Sequence, residues 1–285
     1  MADDRCRDCC LPGTFPNVRA AQAEQDELRA RYSEVLASVG ETPQKSNVAI
    51  AEVLAHNSAV VIARPVADTL QLVANRRAAY GSFYQQLAAA TMKPEDSPWD
   101  VRRRTVDEAF FPGYRERICF GVLTPGHLAP ESYGSCSIEL NPLYIIHRTS
   151  LFIGNTVLWC MTNDITFANF TNLPRGLRAD WDNRAILAAI KFVGFEPAGD
   201  VEELQRAFVQ GNGSSTEDDD FIEAHIWGGF TRVAIARITV SSRAVPESLY
   251  QHAVALLAET CATAGIPLHL NEAGDSDRGV EALSQ

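Results

Sequence analysis

The stretch Phe221-Ile-Glu-Ala-His-Ile-Trp-Gly228 is the part of the chain best suited to chemistry. Side chains alternate along a strand, so Glu223 and His225 share one face while Ile222, Ala224 and Ile226 share the other. A strand that buries its apolar face presents carboxylate and imidazole together, where a site needs them. The plainer alternatives are a solvent-facing pair and a Trp227-Gly-Gly that is only a core aromatic beside a turn. A second region runs from Arg117-Ile-Cys-Phe-Gly-Val-Leu-Thr124 through Ser132-Tyr-Gly-Ser-Cys-Ser-Ile-Glu139 to His147-Arg-Thr-Ser-Leu-Phe152. An arginine at a strand start, a Tyr-Gly turn and a later Arg-Thr-Ser strand can converge on one cleft. Without such convergence Arg117 is an edge-strand surface charge, Tyr133 shapes a turn, and Thr149 and Ser150 are ordinary strand residues.

Other chemistries have less behind them. No Walker loop, Gly-x-Gly-x-x-Gly, His-Glu-x-x-His or Gly-x-Ser-x-Gly occurs. The six histidines could pair with a serine or cysteine in space, but spacing along the chain does not show it. Cys6, Cys9 and Cys10 have a spacing that suits zinc, yet no second Cys-x-x-Cys or His-x-x-x-His pair completes four ligands. No metal is therefore expected, and reduced thiols on a loose terminus are the reading. Arg102, Arg103 and Arg104 read as the solvated face of a helix rather than as a phosphate site.

The elements that must position these residues follow from periodicity. Residues 1–16 read as irregular, and 17–39 as one amphipathic helix stopped by Gly40. A helix at 45–56, a short strand at 59–64, a long helix at about 66–91 and another at 99–110 follow. At Pro112-Gly113 the pattern turns to strands: 117–122, the cleanly alternating 135–140, and 150–160. Asp180 is placed to cap a helix through Phe192. An acidic loop, 211–220, leads into strands at 221–226 and 232–240, the second apolar enough for a sheet covered on both faces. Pro246 opens a helix that Gly265 closes, and 266–270 suits a last strand. The expected plan is α+β: a helical region, 17–111, packed against a mostly antiparallel sheet domain, 112–272, with a flexible tail at 273–285.

Composition narrows the function classes. At 46% hydrophobic and 21% charged, the 285 residues are those of an ordinary globular protein. The net charge of −11 argues against broad binding to nucleic acid or acidic membranes, though not against a local basic site. No apolar stretch is long enough for a membrane span, and the acidic start Met-Ala-Asp-Asp-Arg has no apolar signal region behind it, which predicts a cytoplasmic protein. Seven scattered cysteines favour free thiols.

In order and character, the segments over about 115–240 resemble the Arg…Ser/Thr…Glu arrangement of ADP-ribosyltransferases. More loosely they resemble bacterial toxin and abortive-infection proteins of that fold. The resemblance implies NAD as substrate and an unknown protein or nucleic-acid acceptor. It assigns the NAD phosphates to Arg117, with Arg148 as the alternative, the nicotinamide ribose side to Thr149 and Ser150, and the catalytic carboxylate to Glu223, with His225 beside it. Tyr133 would stack on nicotinamide. Cleaving the nicotinamide–ribose bond develops positive charge on the sugar, which a carboxylate stabilises, while arginine offers a planar fork to a diphosphate. Two departures stand out: Phe221 occupies the place of the second acid of arginine-modifying members, and Arg-Thr-Ser replaces Ser-Thr-Ser. A carboxylate in a cleft is not core packing, so Glu223→Gln is expected to spare folding. Two other classes compete: a non-catalytic interaction module with a filled cleft, and a small hydrolase or nuclease with His225 or His147 as base.

Overall fold

The structure, a computed structural model, describes residues 15–89, 98–195, 207–210, 219–241 and 247–271. Cys6, Cys9 and Cys10, and most of the acidic loop at 211–218, lie outside the described residues. In chain order the elements are α1 (Pro16–Gln22), α2 (Gln25–Ser38), α3 (Glu41–Asn57), β1 (Ala59–Arg64), α4 (Val66–Ala74), β2 (Ala79–Tyr80), α5 (Phe83–Ala88) and α6 (Pro98–Phe110). Then come β3 (Ile118–Thr124), β4 (Cys136–Leu140), α7 (Pro142–Ile145), β5 (Thr149–Phe152), α8 (Thr156–Thr162), β6 (Arg178–Asp180) and α9 (Arg184–Lys191). The last are β7 (Val209–Gln210), β8 (Asp220–Trp227), β9 (Phe230–Thr231), β10 (Ile235–Ser241), α10 (Glu247–Ala264) and β11 (Leu268–Asn271).

The fold is α+β, with a mixed, mostly antiparallel sheet in the order β11-β10-β4-β1-β3-β8-β5-β6. Among the described residues, only β10 and β11 pair in parallel. The expected division into a helical N-terminal half and a C-terminal sheet is corrected here, because helices and strands interleave. β1 lies in the middle of the sheet, between β3 and β4. Its sequence, Ala-Val-Val-Ile-Ala, is apolar on both faces and almost wholly buried, and such a strand is stable only inside a sheet that is covered on both sides.

One face of the sheet is continuous and apolar. Val60, Ile62, Cys119, Leu123, Ile138, Leu151, Ile222, Ala224, Ile226 and Ile238 belong to a single core with Leu28 of α2, Leu54 of α3, Leu72 of α4, Leu187 of α9 and Leu257 of α10. The other face carries Glu223, His225 and Ser150, and α1, α6 and α8 pack on its β5–β8 side. No helix among the described residues is long and apolar enough to cross a membrane.

Three elements end where periodicity does not place the end, two at local asparagine turns and one at a tertiary contact. The helix expected at 66–91 stops at Ala74, where Asn75 Oδ1 accepts from Arg77 N (2.9 Å) and the chain turns. β2 then pairs with β9, stacking Tyr80 on Phe230 at 4.7 Å, before Ser82 starts α5 with a capping box to Gln85. The strand expected at 150–160 ends at Phe152, because Asn155 accepts from Val157 N and Leu158 N and so starts α8. The helix expected at 17–39 breaks near Glu24, whose buried carboxylate accepts from Gly176 N at 3.0 Å.

Candidate functional site

Glu223 and His225 project from the same face of β8, as alternation requires. Val122 of β3 and Phe152 of β5 stand opposite Glu223, and Phe120 and Ser150 stand opposite His225. The apolar partners Ile222, Ala224 and Ile226 enter the main core on the other face. Both polar side chains are nevertheless buried, Glu223 at 1% and His225 at 3% exposure. Phe110, the last residue of α6, and Phe111 after it pack in one cluster with Phe152 and with Cys160 of α8.

The carboxylate of Glu223 is fully engaged. Oε2 accepts from Thr156 N (2.7 Å) and Thr156 Oγ1 (2.6 Å), and Oε1 pairs with Arg103 Nη2. Arg103 is also held from its own helix: Nε lies 3.1 Å from Asp107 Oδ1 and 3.3 Å from Oδ2. The guanidinium carbon sits 3.9 Å from the centre of the Phe120 ring, in cation–π contact. Tyr84 Oη donates to Asp107 Oδ2 at 2.8 Å. His225 Nε2 is 3.7 Å from Glu223 Oε2, too long for a hydrogen bond, and has no hydrogen-bond partner among the described residues. The ring is instead packed edge-on against Phe111 and Phe120.

Two carboxylates therefore share one guanidinium. Burial works against the charge on Glu223, but Arg103, helped by the two hydrogen bonds from Thr156, outweighs it and holds the carboxyl well below the usual range. Burial likewise opposes the charge on Arg103, and Asp107 and Glu223 overcome it, keeping the guanidinium charged. Asp107 is pushed up to about 6, by burial first and by the charge of Glu223, against the pull of Arg103. Burial pushes His225 down, so the imidazole is neutral. Near neutral pH the cluster carries one negative charge more than its own cation balances.

The other residues singled out from sequence are distributed as follows. Ser150 joins Glu223 and His225 on the shared face, where its hydroxyl accepts from Asn17 Nδ2 (3.2 Å) under α1. Tyr133 lies within electrostatic reach of Arg103 and Glu223, and burial raises its phenol. Thr149 points to the opposite side, its Oγ1 donating to Ile145 O at 2.7 Å. Arg148 Nη1 donates to the carbonyls of Trp227, Gly228 and Gly229, which makes it a clamp on that turn. Arg117 is exposed at the start of β3, and its carbonyl accepts from Gly228 N at 2.6 Å. The structure brings Glu223, His225 and Ser150 together on one face, with Tyr133 nearby, and places Arg117, Arg148 and Thr149 elsewhere.

Arg103, Asp107 and Thr156 were not among the sequence candidates. Arg102 and Arg104 do face solvent, but Arg103, Asp107 and Phe110 recur at i, i+4 and i+7 and turn inward together. That stripe was the signal available. An open pocket of about 420 Å³ borders Tyr133, but its walls are Pro65, Val66, Glu131, Tyr250 and their neighbours, not Glu223 or Ser150. Among the described residues no group of three or more His, Cys, Asp or Glu could hold a metal ion. The chain matches no protein-family model and no curated protein.

Proposed function

We infer that the chain is an NAD-cleaving enzyme of the ADP-ribosyl-transferring kind, with Glu223 as its catalytic carboxylate. One observation carries the reading: Glu223 is a buried carboxylate kept ionised inside a cluster of net negative charge. Such a group stabilises a positive charge that forms against it, and does so more strongly in a low-dielectric recess than in water. In the reaction the C–N bond between ribose and nicotinamide breaks, and its electron pair leaves with nicotinamide. The ribosyl cation forms beside Glu223. An acceptor nucleophile then bonds to the anomeric carbon and releases its proton to solvent. Ser150 and neutral His225 stand on the same face of the sheet as that carboxylate.

The test is nicotinamide release from NAD by the wild type and by Glu223→Gln. A loss of about a hundredfold or more is expected, the scale of removing one key electrostatic group. Equal rates in the two proteins would remove Glu223 from the mechanism.

A second reading, a non-catalytic interaction module, is favoured by the filling of the cleft: Arg103 and Thr156 occupy both carboxylate oxygens. The absence of nicotinamide release from wild type with water or any acceptor tried would select it. A hydrolase with a histidine base has less support. His225, one of its two candidate bases, stands 3.7 Å from Glu223, too far for a hydrogen bond; His127, 2.7 Å from Glu139, is 44% exposed, and Glu139 also pairs with Arg237.

A further inference from the structure

We propose that the buried cluster around Glu223 is a binding site for a small planar organic cation, and that Arg103 of the chain itself is its resident occupant. The proposal rests on Glu223 being a functional carboxylate and names the ligand class its surroundings select.

Four features separate this arrangement from a structural ion pair. A structural pair needs one carboxylate, and Arg103 has two, Asp107 at 0% and Glu223 at 1% exposure. Glu223 is aimed without help from Arg103, since Thr156 donates twice to Oε2 and leaves Oε1 facing the guanidinium. The ring of Phe120 supplies a flat cation-binding floor at 3.9 Å. His225 Nε2, buried and without a hydrogen-bond partner among the described residues, faces the same carboxylate from 3.7 Å.

The two contacts of Arg103 are also unequal. Asp107 lies one turn away on α6 and holds Nε, whereas Glu223 lies on the sheet and holds only Nη2. Arg103 can therefore give up Glu223 and stay paired with Asp107. Side-chain exposure is 14% for Arg103 against 2% for Glu223, so Arg103 is the member of the pair that solvent and an incoming ligand reach first.

The experiment titrates methylguanidinium chloride into Arg103→Gln by calorimetry and thermal melting, with sodium chloride at equal ionic strength as control. One-to-one binding is expected. At about ten times Kd the melting temperature should rise by roughly 3 °C. Wild type, whose site is filled, should not bind, and Arg103→Gln/Glu223→Gln, which keeps only Asp107, should bind at least tenfold more weakly than Arg103→Gln. A folded Arg103→Gln that responds no differently from the salt control, or a wild type that binds equally well, overturns the proposal. If Arg103→Gln does not fold, Arg103→Met/Asp107→Asn removes one of the two bared carboxylates and keeps Glu223; it must bind methylguanidinium, and failure to do so is equally decisive. The two readings fail separately. Binding with no nicotinamide release from any variant keeps the cation site and ends the NAD reading, while wild-type release with no binding to the variants does the reverse.

Discussion

Glu223→Gln and Arg103→Ala remove opposite halves of one ion pair but leave different charges behind. After Glu223→Gln, Arg103 still has Asp107, and the remaining pair is neutral. After Arg103→Ala, two buried carboxylates lose their cation, which is the costly outcome for an interior charge. Urea denaturation should show Arg103→Ala destabilised by about 3–5 kcal/mol and Glu223→Gln by about 1–2 kcal/mol. The reverse order would mean that Asp107 contributes nothing to holding Arg103. This also corrects the expectation that Glu223→Gln spares folding, since Glu223 is built into packed structure rather than lining an open cleft. Asp107 makes the pH dependence specific. Folding raises its carboxyl from 3.8 to about 6, so the native state holds a proton there that the unfolded chain has released. That stabilisation is full below the unfolded value and is lost as pH rises through about 6. Glu223, held low, contributes in the opposite sense: its stabilisation is present above its ordinary 4.5 and fades as pH falls below it. Between about pH 4 and about pH 6, wild type should lose stability relative to Asp107→Asn, by at most about 1.4 kcal/mol per pH unit, with little further loss above that window. Parallel pH profiles for the two proteins would place the proton elsewhere.

At the scale of elements, the site depends on a turn far from Glu223 in sequence. The short helical turn Glu131–Tyr133 ends at Gly134, with φ 144°, and carries Tyr133 towards Arg103. A Cβ at Gly134 would fall 2.1 Å from the carbonyl carbon of Arg64, where β1 ends. Neither the backbone conformation nor the space admits a side chain. Gly134→Ala should therefore lower stability by about 2 kcal/mol or more and shift the tyrosine fluorescence or NMR signal of Tyr133. A melting temperature within error of wild type would show that the turn tolerates rearrangement. Ser132 Oγ, in the same turn, donates to Asp219 beside β8, so the turn is tied to the strand that bears Glu223.

At the scale of the whole molecule, β1 makes the N-terminal and C-terminal regions one cooperative unit. It pairs with β3 from Ala59 to Val61 and with β4 from Val60 to Arg64. Without it, two central strands lose a neighbour and their apolar side chains lose a wall. A fragment of residues 112–285 should then lack a cooperative melting transition by circular dichroism and should aggregate through its exposed edges. A sharp, reversible transition in the fragment would show that the sheet stands without β1.

The alternation of Phe221–Trp227 was enough to put Glu223 and His225 on one face and Ile222, Ala224 and Ile226 in the core, because strand geometry is local. The run Ala59–Arg64 was legible as a strand for the same reason, and the Pro246 and Gly265 signals bracketed α10. What lies across from a side chain is not local. Arg103 reaches Glu223 across 120 positions of sequence, and Asn17 reaches Ser150 across 133. Sequence suggested only a helix at 99–110 with all three of its consecutive arginines in solvent; packing on the sheet turned Arg103 inward. The central place of β1 was likewise beyond a reading along the chain, since an apolar strand shows that it must be covered but not by which neighbours. Tertiary structure made those choices because pairing and ion-pair formation are settled by proximity in space, and local conformation constrains them only weakly.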